Sequence, residues 1–230
     1  MILHRKTRIM IPDVSEADGL LFDNDRSDRS ETLMRLAVTI QTYKSAMKTV
    51  IGKLDLMDDE LHYTSKYDLI HHMESRIKQP QSIYRKLKKY DLPLSLESAR
   101  QNIFDIAGIR VVCNFVADIY TIEQKLLEDK DVKLLRRRDF IRQPKPNGYR
   151  SLHLVIEVPI SLSGQQQLIP VEIQLRTIAM DYWATLEHML RYKGTNGHVE
   201  EYTDMLIECA DSLAETEKVM QFVRDQIEGE

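Results

Sequence analysis

The chain has 230 residues, a formal net charge of −4 at pH 7, 43% hydrophobic residues and 30% charged residues. This length suits one large domain or two small ones, and the composition excludes disordered and fibrous classes. No apolar run approaches the ~18 residues of a membrane span, and no signal peptide is visible, so we expect a cytoplasmic protein with no membrane contact. Cys113 and Cys209 have no nearby partner in the sequence, which favours reduced thiols.

The charges are segregated along the chain. Residues 133–150 hold seven basic residues and one acid, whereas residues 200–230 hold ten acids and two basic residues. The basic stretch predicts a site for an anionic ligand. The acidic stretch argues against nucleic acid wrapping the whole surface.

The chain begins with a predicted loosely ordered, acidic arm over residues 1–27. Apolar residues then recur at three- and four-residue steps from Leu33 to Leu61, which predicts a long helix. In "IHHMESRIK" the period changes to two, which indicates a strand with His72, Glu74 and Arg76 on one face.

The remaining predicted elements alternate between helices and strands. They are a short helix from Pro80, a helix from Ser95 to near Gly108, a strand at "IRVVCNF", a helix at "DIYTIEQKLLEDK", strands at 133–141, 151–160 and 168–176, and helices at 178–192 and 199–228. Together they predict an α+β fold, with a mixed sheet of about five strands flanked by helices and long helices at both ends. We interpret residues 28–230 as one domain with its core at about 65–193.

Two carboxylates could form a metal site. Asp105 lies at the C-terminal end of a predicted helix, where the helix dipole is mildly unfavourable to an acid, and apolar strand residues follow it, so it either bonds turn amides or binds a metal. In "LIPVEIQLRT", Glu172, Gln174 and Arg176 share one strand face, which is either a solvated edge or a cleft. If this face meets Asp105, the two carboxylates could hold Mg²⁺.

Residues suited to phosphate occur in three places: Arg76 with Lys78, Ser82 with Lys86, and the run that includes Arg136, Arg138, Arg142 and Lys145. Each group alone is typical of a solvated surface. Combined with a carboxylate pair, the three predict a site for phosphoryl transfer, in which positioning and charge neutralisation supply most of the catalysis. No glycine-rich nucleotide motif is present, and Tyr149 offers a stacking surface for a base.

Two other functions stay open on the residues alone. A non-catalytic RNA- or nucleotide-binding module would use the same basic cleft, with weak RNA binding. A metal-dependent hydrolase would use His71 and His72, but adjacent strand residues point to opposite faces and a third ligand is missing at a suitable spacing.

Four stretches occur in the order and spacing of one known family: "SRIKQPQSIYRKL", "FDIAGIRVVC", "RRRDFIRQPKPNGYRSLH" and "VEIQLRTIAMDYWATLEH". Over about residues 65–193 the chain resembles the (p)ppGpp synthetase domain of the RelA/SpoT enzymes, and in particular the small alarmone synthetases. The resemblance implies a nucleotidyltransferase-like mixed sheet. It also implies transfer of pyrophosphate from ATP to the 3′-hydroxyl of GDP or GTP, which gives AMP and the stringent-response alarmone (p)ppGpp.

The resemblance also implies roles for individual residues. Arg76 and Arg110 would sandwich the adenine, Lys78, Ser82 and Lys86 would hold the ATP phosphates, and Asp105 and Glu172 would bind Mg²⁺, with Glu172 as the base. Tyr149 would stack on guanine, and Lys145, Arg150, His153 and Gln174 would line the cleft, with Arg136, Arg138 and Arg142 as further cations. The sequence departs from many long relatives at Phe140 and Asp181. The resemblance to this family also implies a homotetramer built through the terminal helices.

Overall fold

A computed structural model describes residues 8–10, 29–65, 67–162, 164–193 and 202–228. The strands are β1 (Arg8–Met10), β2 (Ile70–Ile77), β3 (Ala107–Cys113), β4 (Lys133–Asp139), β5 (Leu152–Leu162) and β6 (Gln165–Thr177). The helices are α1 (Arg29–Ser65), α2 (Pro80–Lys89), α3 (Leu96–Asn102), α4 (Val116–Glu128), α5 (Ile178–Lys193) and α6 (Thr203–Glu228). In this part of the chain, no helix has the length and apolar character needed to cross a membrane.

The strands form one mixed sheet in the order β1-β2-β3-β6-β5-β4. The pairs β1–β2 and β3–β6 are parallel, and the other neighbours are antiparallel. The predicted α+β class and mixed sheet are confirmed. The predicted division into domains stays a prediction.

The sixth strand comes from the stretch that was predicted to be a loosely ordered arm. Arg8–Met10 pairs with β2, with Arg8 opposite Glu74 and Met10 opposite Arg76. For these three residues the prediction was wrong, because the edge of β2 offers backbone groups that need partners. The rest of the arm lies outside the described residues.

The core lies between the sheet and the long first helix. The predicted apolar stripe of α1 is buried at Leu36, Ile40, Met47 and Leu54, which confirms the helical period. The strand β3 is apolar and largely buried between β2 and β6, as a central strand requires.

The segment before β3 differs from the prediction. Ser95 caps α3 by accepting a hydrogen bond from the Ser98 amide at 3.1 Å, as expected. The helix ends at Asn102, however, and Gly108 lies inside β3. Asp105 therefore lies in the connecting turn and not at the C-terminal end of a helix, so that prediction was wrong.

Candidate functional site

A polar cavity of about 270 Å³ opens where β2, β3 and β6 lie side by side. It is lined by Glu74, Ser75, Arg76, Asp105, Gly108, Ile109, Arg110, Glu172 and Gln174. Five of these residues were singled out from the sequence: Arg76, Asp105, Arg110, Glu172 and Gln174. The structure therefore brings predicted residues from three strands and one turn to a single cavity.

Strand register explains why distant residues meet here. One row of cross-strand partners runs from Arg76 through Gly108, Glu172 and Val155 to Arg136. Residues that face each other across a ladder share one side of the sheet. A Cβ at Gly108 would meet no atom closer than 4.0 Å, so this glycine leaves open space between Arg76 and Glu172.

A second row lies two residues further along each strand. It runs from Glu74 through Arg110, Gln174 and His153 to Arg138. The period of two along each strand places both rows on the same face. Sequence alternation therefore predicts the face, whereas the order of the strands decides which residues become neighbours.

Asp105 is held between two lysines. Its carboxylate accepts hydrogen bonds from Lys78 Nζ at 2.5 Å and from Lys86 Nζ at 2.8 Å. Burial opposes ionisation of Asp105, but the two ammonium groups outweigh it and lower the pKa of this carboxyl. Lys86 and the half-buried Ser82 lie one turn apart on α2, next to this pair. The arrangement concentrates positive charge beside an ionised carboxylate.

Glu172 is the second carboxylate of the cavity. Gln174 Nε2 donates to Glu172 Oε2 at 2.9 Å, and His153 Nδ1 lies 3.8 Å from Glu172 Oε1. Burial opposes ionisation, but contacts with His153 and Gln174 outweigh it and lower the pKa of Glu172. The negative charge of Asp105 acts in the raising direction, so the two carboxylates lie within electrostatic reach of each other.

Tyr149 joins the site through its hydroxyl group. Arg176 Nη2 donates to Tyr149 Oη at 2.7 Å, and Tyr149 Oη lies 2.8 Å from His153 Nε2. A guanidinium only donates, so the hydroxyl accepts from Arg176, whereas the direction of its hydrogen bond with His153 is set by the tautomer of that ring. The ammonium of Lys145 lies 4.7 Å from the centre of the Tyr149 ring and 4.6 Å from that of Phe140.

Sequence reasoning missed Arg176 as a site residue. Its side chain is only 7% exposed, and besides Tyr149 it donates to Asp181 at 3.1 Å and to Gln174 at 3.3 Å. Asp181 also lies 3.3 Å from Arg110, which in turn contacts Glu74 at 3.1 Å. The alternation that grouped Arg176 with Glu172 and Gln174 was the signal that could have identified it.

Seven predicted cations do not line the cavity: the three lysines described above, Lys78, Lys86 and Lys145, and four arginines, Arg136, Arg138, Arg142 and Arg150. Arg150 donates to Asp211 at 2.7 Å and to the Gly148 carbonyl at 3.1 Å. Arg136 lies over the ring of Phe104, and Arg142 over that of Tyr120, each with its guanidinium carbon 5.1 Å from the ring centre. Arg138 is exposed on β4.

The histidine pair is closer than strand alternation suggests. His71 Nδ1 and His72 Nδ1 lie 2.8 Å apart, because the β2–β3 register is irregular between Ile70 and His72. The expectation that the two rings point apart was therefore wrong. Within the described ranges, no group of three or more His, Cys, Asp or Glu residues could hold a metal ion, so a third ligand for a hydrolase is missing there.

Comparisons with known proteins agree on one family. The sequence model of the family described as "Region found in RelA / SpoT proteins" matches residues 75–197. The chain is 36% identical over 186 residues to GTP pyrophosphokinase YwaC of Bacillus subtilis, over 81% of this chain and 89% of that protein.

Solved structures give the same result. Small alarmone synthetase 1 from Bacillus subtilis, bound to its product pppGpp, superposes with a TM-score of 0.74 and 30% identity, over 85% of this chain and 99% of that one. The same enzyme bound to AMPCPP superposes with a TM-score of 0.70 and 27% identity, over 85% and 98%. The fold, the cavity residues and these matches lead to one conclusion: the chain belongs to the RelA/SpoT family.

Proposed function

We propose that this chain is a GTP pyrophosphokinase, which transfers the β,γ-pyrophosphate of ATP to the 3′-hydroxyl of GDP or GTP and releases AMP and (p)ppGpp. The observation that carries the proposal is the pair of ionised carboxylates, Asp105 and Glu172, in one cavity bordered by cations. Relatives named GTP pyrophosphokinase, and a neighbour that binds pppGpp, support the same reaction.

ATP would bind on the β2–β3 side of the cavity. Arg76 and Arg110 line it from adjacent strands, so their planar guanidinium groups are suited to hold an adenine between them. Lys78 and Lys86 would then exchange part of their contact with Asp105 for the phosphates, with Ser82 as a hydroxyl donor. A neighbour that binds AMPCPP, an ATP analogue, is consistent with this donor site.

Asp105 and Glu172 suit Mg²⁺. Both are ionised carboxylates lining one cavity, and Mg²⁺ commonly takes one or two carboxylates and completes its coordination with water and phosphate oxygens. A larger protein ligand cluster is therefore not required. When bound, the ion would neutralise charge on the phosphate oxygens.

Glu172 would act as the base that takes the proton of the attacking 3′-hydroxyl. Its lowered pKa keeps it ionised at neutral pH, and Gln174 fixes one of its oxygens. Gln174 and His153 lie beside it, between the proposed donor and acceptor positions. Pyrophosphate transfer then needs only the correct alignment of hydroxyl and phosphate in a cation-rich cavity.

The acceptor guanine would stack on Tyr149. Arg176 and His153 hold the hydroxyl of this ring, which fixes its orientation. Lys145 lies over the ring in this structure, so an entering base would take that place and free the ammonium to bind acceptor phosphates. Arg150 would approach the same phosphates from the end of the loop.

A homotetramer through the terminal helices is part of the proposal. The helix α6 exposes a group of large apolar side chains: Val219, Met220, Phe222, Val223 and Ile227. On α1, Met34, Val38 and Leu56 are also exposed. Exposed apolar groups of this kind are typical of interfaces, so light scattering should give four times the chain mass.

The reaction is tested by incubating the protein with ATP, Mg²⁺ and GDP or GTP and separating the nucleotides by anion exchange. We expect AMP and (p)ppGpp in equal amounts, with loss of turnover when Mg²⁺ is chelated. Glu172→Gln should lower kcat by about 100- to 10,000-fold, as expected for loss of a general base. Asp105→Asn should also abolish AMP release.

Glu157→Gln is the matched control, because this carboxylate lies on β5 outside the cavity and contacts Lys133 at 3.3 Å. Near-normal turnover in Glu172→Gln or Asp105→Asn would contradict the site. The non-catalytic RNA-binding alternative predicts binding that ignores Mg²⁺ and Glu172 but falls steeply with salt. Two carboxylates in the cavity favour the enzyme, because they would repel a polyanion.

A further inference from the structure

The loop at residues 143–150, here named the acceptor loop, packs directly against the C-terminal helix α6. Gly148 has a positive φ of 88°, and its amide donates to the Lys145 carbonyl at 2.8 Å. A Cβ built at Gly148 would lie 3.0 Å from Ala210 Cβ and 3.3 Å from Ile207 Cα. The helix and the loop therefore touch without space for one additional carbon atom.

Side chains reinforce this contact from both sides. Arg150, at the end of the acceptor loop, donates to Asp211 of α6 at 2.7 Å. Trp183 of α5 donates its indole N–H to the Leu206 carbonyl of α6 at 2.8 Å. Trp183 and Ala210 also form a small buried cluster against which Tyr149 packs. Tyr149, the residue proposed to stack on guanine, therefore packs against a cluster that includes a residue of α6.

The far end of α6 is fixed to the body of the protein. Arg224 donates to the Tyr67 hydroxyl at 2.8 Å and to the buried Asp118 of α4 at 3.1 Å. The guanidinium carbon of Arg224 also lies 4.6 Å from the centre of the Phe115 ring. Because α6 is anchored at this end and near Trp183, its central residues present a rigid surface to the acceptor loop.

We infer that α6 positions the acceptor loop, and that Ala210 and Asp211 set the affinity for the guanine nucleotide without touching it. The inference rests on the proposed function, which assigns the acceptor to this loop. A loop whose backbone is already ordered loses less conformational entropy when the nucleotide binds. Displacing α6 should therefore weaken acceptor binding and leave the ATP side, on β2 and β3, unchanged.

The test compares two substitutions that add the same side chain to α6. Ala210→Val adds bulk at the contact with Gly148, whereas Ser212→Val adds valine on the exposed face of the same helix. Alanine has a higher helix propensity than serine or valine, so Ala210→Val carries the larger propensity cost, and the comparison of the GDP effect with the ATP effect in that variant isolates the loop contact. We expect Ala210→Val to raise the KM for GDP about tenfold, with kcat and the KM for ATP within twofold of wild type. Ser212→Val should leave all three unchanged.

Asp211→Asn tests the same idea without added bulk. It removes the charge that holds Arg150, and we expect a two- to fivefold rise in the KM for GDP, as for a partly exposed ion pair. Calorimetric titration of GDP in the presence of AMPCPP should show the same factors in Kd. Thermal unfolding and light scattering check that the fold and the molar mass persist in each variant.

The results separate the possible failures. If Ala210→Val and Asp211→Asn both leave the GDP parameters within twofold of wild type, the inference is overturned. Equal losses for ATP and GDP would overturn it as well, because a merely structural role of α6 would weaken both. If the wild type makes no (p)ppGpp, the proposed function fails instead, and the calorimetric comparison still decides whether α6 controls guanine-nucleotide binding.

Discussion

Replacement of Arg176 by methionine should damage both the acceptor side of the site and the stability of the fold. The guanidinium bridges Tyr149, Gln174 and Asp181, although Arg176 itself was not predicted as a site residue. Methionine retains much of the buried volume and removes every hydrogen bond, so the substitution isolates the polar contacts from packing.

The magnitude follows from what each partner loses. Hydrogen bonds to a charged group contribute about 1.5–3 kcal/mol, and an orphaned buried acceptor adds a penalty of its own. Two partners keep other contacts, since the Tyr149 hydroxyl still meets His153 and Asp181 still meets Arg110 at 3.3 Å. We therefore expect a loss of about 2 kcal/mol in the free energy of unfolding, or about 4–8 °C in Tm for a chain of this length.

The assay measures the Tm of the variant and, in parallel, its kcat/KM for GDP and its kcat/KM for ATP. Because Gln174 and Tyr149 are both displaced, kcat/KM for GDP should fall at least tenfold, by about 1.4 kcal/mol or more. Arg85→Met on the exposed face of α2 is the matched control and should change neither quantity. If Arg176→Met behaves like Arg85→Met, the bridge contributes nothing and the reasoning from its contacts is refuted.

Three other changes test the packing around the site. In chemical denaturation, Gly148→Ala should lower the free energy of unfolding by about 2 kcal/mol more than Gly164→Ala does. Both glycines have a positive φ, but of the two only Gly148 is crowded, so equal losses would contradict the contact with α6. Burial alone would raise the pKa of Asp139, but the backbone amides that follow it outweigh burial and lower the pKa. The ionised carboxylate therefore stabilises the fold above the ordinary pKa of about 3.9, and this stabilisation is lost as pH falls through the lower folded pKa. In acid unfolding, the difference in free energy of unfolding between the wild type and Asp139→Asn should therefore narrow below about pH 4. A constant difference would contradict the assignment. Arg224→Met should cost about 3 kcal/mol in urea unfolding, since it removes the charge partner of the buried Asp118; an unchanged midpoint would show that α6 is not anchored there.

Local periodicity explains why much of the site could be predicted from the sequence. A strand alternates its faces with a fixed period of two, so the sequence places Glu172 with Gln174, and Glu74 with Arg76, without knowledge of the fold. The structure places all four at one cavity. What alternation cannot supply is the strand order, which puts β6 beside β3 and so makes Arg110 a neighbour of Gln174.

Single-residue signals were less informative. Gly108 reads equally well as a helix terminus or as a strand residue, because glycine suits both a helix cap and a position where open space is needed. It lies in β3 between Arg76 and Glu172, so the second reason applies. The three-residue strand Arg8–Met10 is too short for a period to appear, and only the free edge of β2 accounts for it.

The contact between α6 and the acceptor loop gives the segregation of charge in the sequence a different meaning. The basic stretch 133–150 and the acidic stretch 200–230 were interpreted as separate surfaces, one for an anionic ligand and one that repels nucleic acid. In the folded chain they meet where Arg150 contacts Asp211, 61 positions away. Arg150 lies at the end of the basic acceptor loop, and its ion pair with Asp211 keeps its side chain from extending freely into solvent. The acidic helix α6 therefore orders the basic loop, in addition to placing negative charge on the surface. Neither stretch alone indicates this role, because it depends on a contact that only the fold creates.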